Sequence, residues 1–165
     1  MFIHMTLDEM LAREEIRAVL TRYMHAIDRN DAAALRTCFT DDVHAEYAGG
    51  VVAGGIDRMI DFLTGVTVAD NARLPEIAQY RQGMHILASV EIQLHGQTAS
   101  SEAYAIIHHV PAESDVHIER GVRYMDRLRR DDGSWRIYDR KHTLDWAQET
   151  VAKYSIEPAQ RVYRD

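Results

Sequence analysis

Arg81-Gln-Gly-Met-His85-Ile-Leu-Ala-Ser-Val-Glu-Ile-Gln-Leu-His95-Gly-Gln-Thr-Ala-Ser-Ser-Glu-Ala-Tyr104-Ala-Ile-Ile-His108-His109-Val110 reads as two long strands joined at His95-Gly96-Gln97. Ile86, Ala88, Val90, Ile92 and Leu94 alternate with more polar neighbours at the strand period of two. On the return strand Tyr104, Ile106 and His108 share one face, and Ala103, Ala105, Ile107 and His109 the other. The expectation is that His85 and His108 stand on facing sheet positions. Two histidines that change charge near neutral pH, aimed at one hollow, suit proton transfer.

Upstream, the chain reads as helices. Thr6-Leu7-Asp8-Glu9 fits a capping box, and Leu11, Ile16, Val19, Leu20, Tyr23, Met24 and Ile27 recur at helical spacing. Asn30-Asp31 breaks that helix and caps a short second one over 32–38. A short hairpin around Ala48-Gly49-Gly50 follows, then a third helix over 56–63. Gly65 to Tyr80 has little periodicity and is a candidate lid. Downstream, strands are expected over about 82–95, 98–110, 117–130 and 134–146, with Asp131-Asp132-Gly133-Ser134 turning the last hairpin. This order predicts an α+β domain: a strongly curved antiparallel sheet, a cone-shaped barrel, wrapped around N-terminal helices with a central ligand pocket.

Composition bounds the alternatives. The 165 residues suffice for one well-buried core, and 46% hydrophobic with 27% charged residues is globular in type. A net charge of −7 argues against nucleic-acid binding; the basic run Arg127-Leu-Arg129-Arg130 reads as a solvated strand end. One cysteine, Cys38, excludes an internal disulfide and fits a reducing compartment. With no long apolar run and no signal-peptide pattern, membrane association is not expected, and a cytoplasmic location is the simplest expectation.

Several stretches together carry a resemblance: Tyr23-Met-His-Ala-Ile-Asp28-Arg-Asn-Asp31, Phe39-Thr-Asp-Asp42-Val43, Gly83-Met84-His85, and Gly121-Val-Arg-Tyr124-Met-Asp126-Arg127 through Asp132-Gly133-Ser134-Trp135-Arg136. The chain resembles the SnoaL-like branch of the nuclear transport factor two-like superfamily over about residues 7–146. The resemblance implies a single domain over 1–146 and a C-terminal tail over 147–165. Scytalone dehydratase, bile-acid dehydratase and hexachlorocyclohexane dehydrochlorinase in that superfamily use an Asp–His dyad, whose positions Asp28 and His85 match. Tyr23 matches a tyrosine of the bile-acid enzyme, and Tyr47 one of scytalone dehydratase. His108 matches a polar group that both dehydratases carry on the next long strand. Leu144 stands where the bile-acid enzyme has an arginine.

The chemistry implied is proton abstraction from carbon by His85, oriented by Asp28, with Tyr23, Tyr47 and His108 donating to the developing oxyanion. Tyr47, Tyr104, Ile106, Tyr124, Arg140 and His142 are expected to bind substrate. The net reaction is elimination by a cofactor-independent lyase of dehydratase type, on a hydrophobic small molecule that is cyclic or polyketide-like. A polyketide cyclase or isomerase using the same base is the second reading, and a non-catalytic binding or assembly module the third. In that third reading Asp28 merely caps a turn and His85 is a core histidine. No metal or organic cofactor is expected, since the neighbours His108 and His109 point to opposite faces and cannot chelate one ion. His44, His95 and His117 are expected in solvent at strand ends or turns. Ile107 and Val122, read as exposed sheet positions, suggest a homo-oligomer, a trimer before a dimer.

Overall fold

The computed structural model describes residues 5–52, 54–65, 80–111 and 114–151. Helix α1 (Leu7–Asp28) begins at Thr6, whose hydroxyl accepts from the Glu9 N–H while the Glu9 carboxylate accepts from the Thr6 N–H, as the capping box requires. Its buried stripe runs through Ile16, Leu20, Tyr23 and Ile27. Asp31 caps the short α2 (Ala32–Arg36) through the Ala34 N–H. Strands β1 (Phe39–Tyr47) and β2 (Gly50–Val52) form a hairpin, and α3 (Gly55–Thr64) follows. The long strands are β3 (Tyr80–His95), β4 (Thr98–Pro111), β5 (Val116–Asp131) and β6 (Ser134–Val151). The last of these runs on to Val151, past the end at Trp146 expected from sequence.

The six strands make one sheet in the order β2-β1-β6-β5-β4-β3, antiparallel except for the parallel pair β1–β6. The sheet is curved but open: β2 and β3 are its edges, and the gap is spanned by helices rather than closed as a barrel. Helix α1 packs on β3 and β6, and α3 on β1. The Arg13 guanidinium donates to the Ile92 carbonyl at 2.5 Å, tying α1 to β3. Small inward side chains, Ala99, Ala103 and Ala105 of β4, join the core formed with Ile16 and Leu20 of the helix. Among the described residues no helix is long and apolar enough to cross a membrane. The candidate lid lies almost wholly outside the described residues.

The strand phase corrects three expectations. β3 carries an irregularity between Leu87 and Ser89, so His85 and Leu87 face inward before it, and Val90, Ile92 and Leu94 after it. His85 therefore pairs with Ile107, and His108 pairs with Met84 on the outer face. The inward set of β4 is Ala103, Ala105, Ile107 and His109, all buried. Tyr104, Ile106 and His108 stand outside the hollow, Tyr104 beneath the Arg123 guanidinium at 4.6 Å from its ring centre. Ile107 and Val122 are 5% and 2% exposed, so they line the interior and offer nothing to a neighbouring subunit. The exposed apolar groups of the outer face are instead Met84, Ile86, Tyr104 and Trp146.

Candidate active site

Asp28 is the last residue of α1, and its carboxylate emerges beside the start of β3. It does not cap the turn, because α2 is capped by Asp31. Both of its oxygens go to His85: Oδ1 lies 2.7 Å from the ring Nδ1 and Oδ2 accepts from the His85 main-chain N–H at 3.1 Å. The imidazole is 5% exposed. A carboxylate can only accept, so in the neutral ring Nδ1 carries the proton and Nε2 is left as an acceptor.

His85 lines a hollow of about 580 Å³ between the helices and the inner sheet face. Tyr23 and Ile27 come from α1, Tyr47 from β1, and Phe62 and Leu63 from α3. The sheet contributes Tyr80, Ile107, His109, Ile118, Arg120, Val122, Tyr124, His142 and Leu144. The walls are mainly apolar and aromatic, with a few polar groups, the usual make-up of a small-molecule site.

The polar groups fall into two sets. Beside His85, the His109 ring stands edge-on at 5.5 Å and stacks on Tyr80 at 4.0 Å between ring centres. Its Nδ1 accepts from Arg120 Nη1 at 2.9 Å, which places the proton of the neutral ring on Nε2. Burial, then the neighbouring His85 and Arg120, push His109 down to about 3, so it stays neutral. Deeper in, the Tyr23 and Tyr47 hydroxyls lie 3.2 Å apart, and Arg140 Nη1 donates to Tyr47 Oη at 3.4 Å. Burial pushes both phenols, and Tyr124, above their ordinary range, so all three keep their protons at neutral pH.

Arg140 is held in that apolar floor by Asp126, with both carboxylate oxygens at 2.7 Å from Nε and Nη2. Its guanidinium lies over the Tyr23 and Tyr124 rings at 4.1 and 4.7 Å. Burial opposes the charge, yet Asp126 and the surrounding phenols keep the group well above its usual range. His142 stacks on Tyr47 at 4.9 Å, and burial followed by Arg140 pushes it down to about 4. Its Nδ1 and the Tyr80 hydroxyl are buried without hydrogen-bond partners among the described residues.

Of the residues singled out from sequence, Asp28, His85, Tyr23, Tyr47, Tyr124, Arg140 and His142 thus converge on or under the hollow, and His108, Tyr104 and Ile106 do not. Reading the β4 phase from its bulky members missed His109; Arg120 and Phe62 gave no distinct signal. His117 is half-buried on the outer face beside His108 rather than solvated. Cys38 is buried in the core with its thiol pushed up to about 11 by burial, which leaves it inert.

Residues 8–141 match the family model described as SnoaL-like domain. No curated protein sequence matches the chain. Solved structures share its fold at low identity. A type 2 hexachlorocyclohexane dehydrochlorinase aligns at TM-score 0.77 and 14% identity, over 92% of this chain and 97% of its own. A type 3 dehydrochlorinase from Novosphingobium barchaimii aligns at 0.76 and 14%, over 92% and 99%. A candidate scytalone dehydratase from Novosphingobium aromaticivorans aligns at 0.75 and 18%, over 96% and 100%.

Proposed function

The chain belongs to the SnoaL-like family, and on that footing we propose that it is a cofactor-independent lyase of dehydratase type that removes a proton from carbon in a hydrophobic small molecule. The observation that carries this reading is the Asp28–His85 pair opening onto an apolar hollow. His85 Nε2 takes the proton from a carbon made acidic by a neighbouring carbonyl or comparable group, and Asp28 stabilises the imidazolium that forms. The His109 Nε2–H and the Tyr23 and Tyr47 hydroxyls donate to the oxyanion that develops and to the departing group. His109 takes the part that the sequence resemblance assigned to His108. The neutral state of His109 suits it to donate without competing for the proton, because His85 is the ring with a carboxylate behind it.

The volume and walls of the hollow support a cyclic or polyketide-like guest with a polar substituent near His109 and Arg120. Solvent-deuterium exchange at the acidic carbon of a panel of cyclic β-hydroxy ketones and halogenated rings tests the proton-abstraction step directly, whichever compound the protein meets in the cell. Enzyme-dependent exchange or elimination is expected, falling about 10²–10⁴-fold in His85→Ala and Asp28→Asn, with circular dichroism unchanged. Full turnover by His85→Ala would reject the assignment.

A further inference from the structure

The outer sheet face holds a cluster that the proton-transfer site does not use. His108 of β4 stands opposite Glu119 of β5, and His117 lies two residues before Glu119 on the same face. His108 Nδ1 is 2.9 Å from His117 Nε2 and 3.4 Å from Glu119 Oε2. One ligand-type atom from each of the three residues lies within 4.8 Å of the others. All three side chains are half-buried, so they are shielded yet reachable.

The far atoms of two members are already engaged by β6. His117 Nδ1 meets the Thr150 hydroxyl at 3.1 Å, and Gln148 Nε2 donates to Glu119 Oε1 at 3.0 Å. With Thr150 accepting from Nδ1–H, the His117 Nε2 lone pair turns toward His108; with Oε1 occupied, Oε2 is the oxygen left for the cluster. Outer contacts of this kind fix tautomer and orientation around bound metals. Two imidazoles and a carboxylate suit a late first-row divalent ion rather than magnesium or calcium. Around a tetrahedral ion with bonds of about 2.0–2.1 Å, ligand atoms stand about 3.3–3.4 Å apart. The His108–Glu119 spacing of 3.4 Å meets that, the His108–His117 spacing of 2.9 Å needs to open by a few tenths of an ångström, and the His117–Glu119 pair lies within 4.8 Å.

We propose that His108, His117 and Glu119 bind one divalent cation of the zinc type, with water completing the coordination. The ion fastens β4 to β5 from outside. Their adjacent residues His109 and Ile118 face inward and line the hollow, so the ion braces the wall that carries His109. The adjacency of His108 and His109 plays no part in it: the second imidazole comes from the neighbouring strand.

Calorimetric titration of the full chain, freed of metal by a chelator and dialysed, with zinc chloride alone tests this. One saturable site per chain with Kd below about 10 μM is expected, and loss of a ligand should weaken it at least tenfold, by comparison with the 10–100-fold that outer-contact changes alone cost. His117→Ala and Glu119→Gln each remove a surface ligand, and either one that keeps the wild-type circular dichroism serves. Cobalt in place of zinc should give the visible absorption of a four-coordinate ion in the wild type and lose it in both variants. Absence of a saturable site, or wild-type affinity in a folded variant, overturns the proposal and leaves the cluster a hydrogen-bonded one. Neither result bears on the Asp28–His85 reading, whose side chains lie on the opposite face.

Discussion

Two histidines facing the hollow, His109 and His142, are kept neutral by burial, at about 3 and about 4 against an ordinary value of 6.5. The unfolded chain takes up a proton on each as the pH falls through 6.5, while the folded chain does not, so their contribution to stability is complete above that pH and is lost on acidification toward 4. The slope from each is at most about 1.4 kcal/mol per pH unit. Urea unfolding at pH 7.5 and pH 4.5 should therefore show a stability loss that shrinks in His142→Phe; equal losses in both proteins would contradict the buried-neutral state. The same residues illustrate what a sequence discloses at this scale. An acid closing a helix and an imidazole opening a strand are visible as spacing, but the rings that help to bury His142 and His109 are Tyr47 and Tyr80, which are distant from them along the chain.

At the scale of the element, β5 makes room for β6 at Gly121. A Cβ on Gly121 would meet Trp146 Nε1 at 2.1 Å and Cε2 at 2.3 Å, far inside contact distance, and the register slips beside it between Gly121 and Val122. Gly121→Ala should cost about 1–3 kcal/mol by overpacking. Thermal unfolding of Gly121→Ala/Trp146→Ala should recover most of that loss, whereas simple addition of the two single effects would place the strain elsewhere. Helices and strands were legible because caps and periodicity are local: Thr6, Glu9 and Asp31 act where they stand. The inward face of β4 was not. The irregularity at Leu87–Ser89 shifts the phase of β3 relative to its apolar alternation, and the small Ala103 and Ala105 of β4 face inward while bulky Tyr104 is left outside.

Taken whole, the molecule presents an open sheet whose outer surface exposes Met84, Ile86, Tyr104 and Trp146. The row Ile86, Ile106, Gly121 and Trp146 crosses four adjacent strands in register. These groups, rather than the interior Ile107 and Val122, are the ones on which we propose a homo-oligomer forms, a trimer before a dimer. Sedimentation velocity at micromolar concentration should give a species about three times the 18.9 kDa chain, and Trp146→Glu should shift it toward monomer; a wild-type monomer would refute the proposal. The curved sheet and its helices were readable from element order, since only a few layer arrangements bury such faces. The hand-off between Asp28 and His85 adds a consequence for synthesis. Those residues are 57 positions apart, so a nascent chain that has displayed only its helical half holds a carboxylate with nothing to orient, and the histidine acquires its partner only after the third strand has left the ribosome and docked.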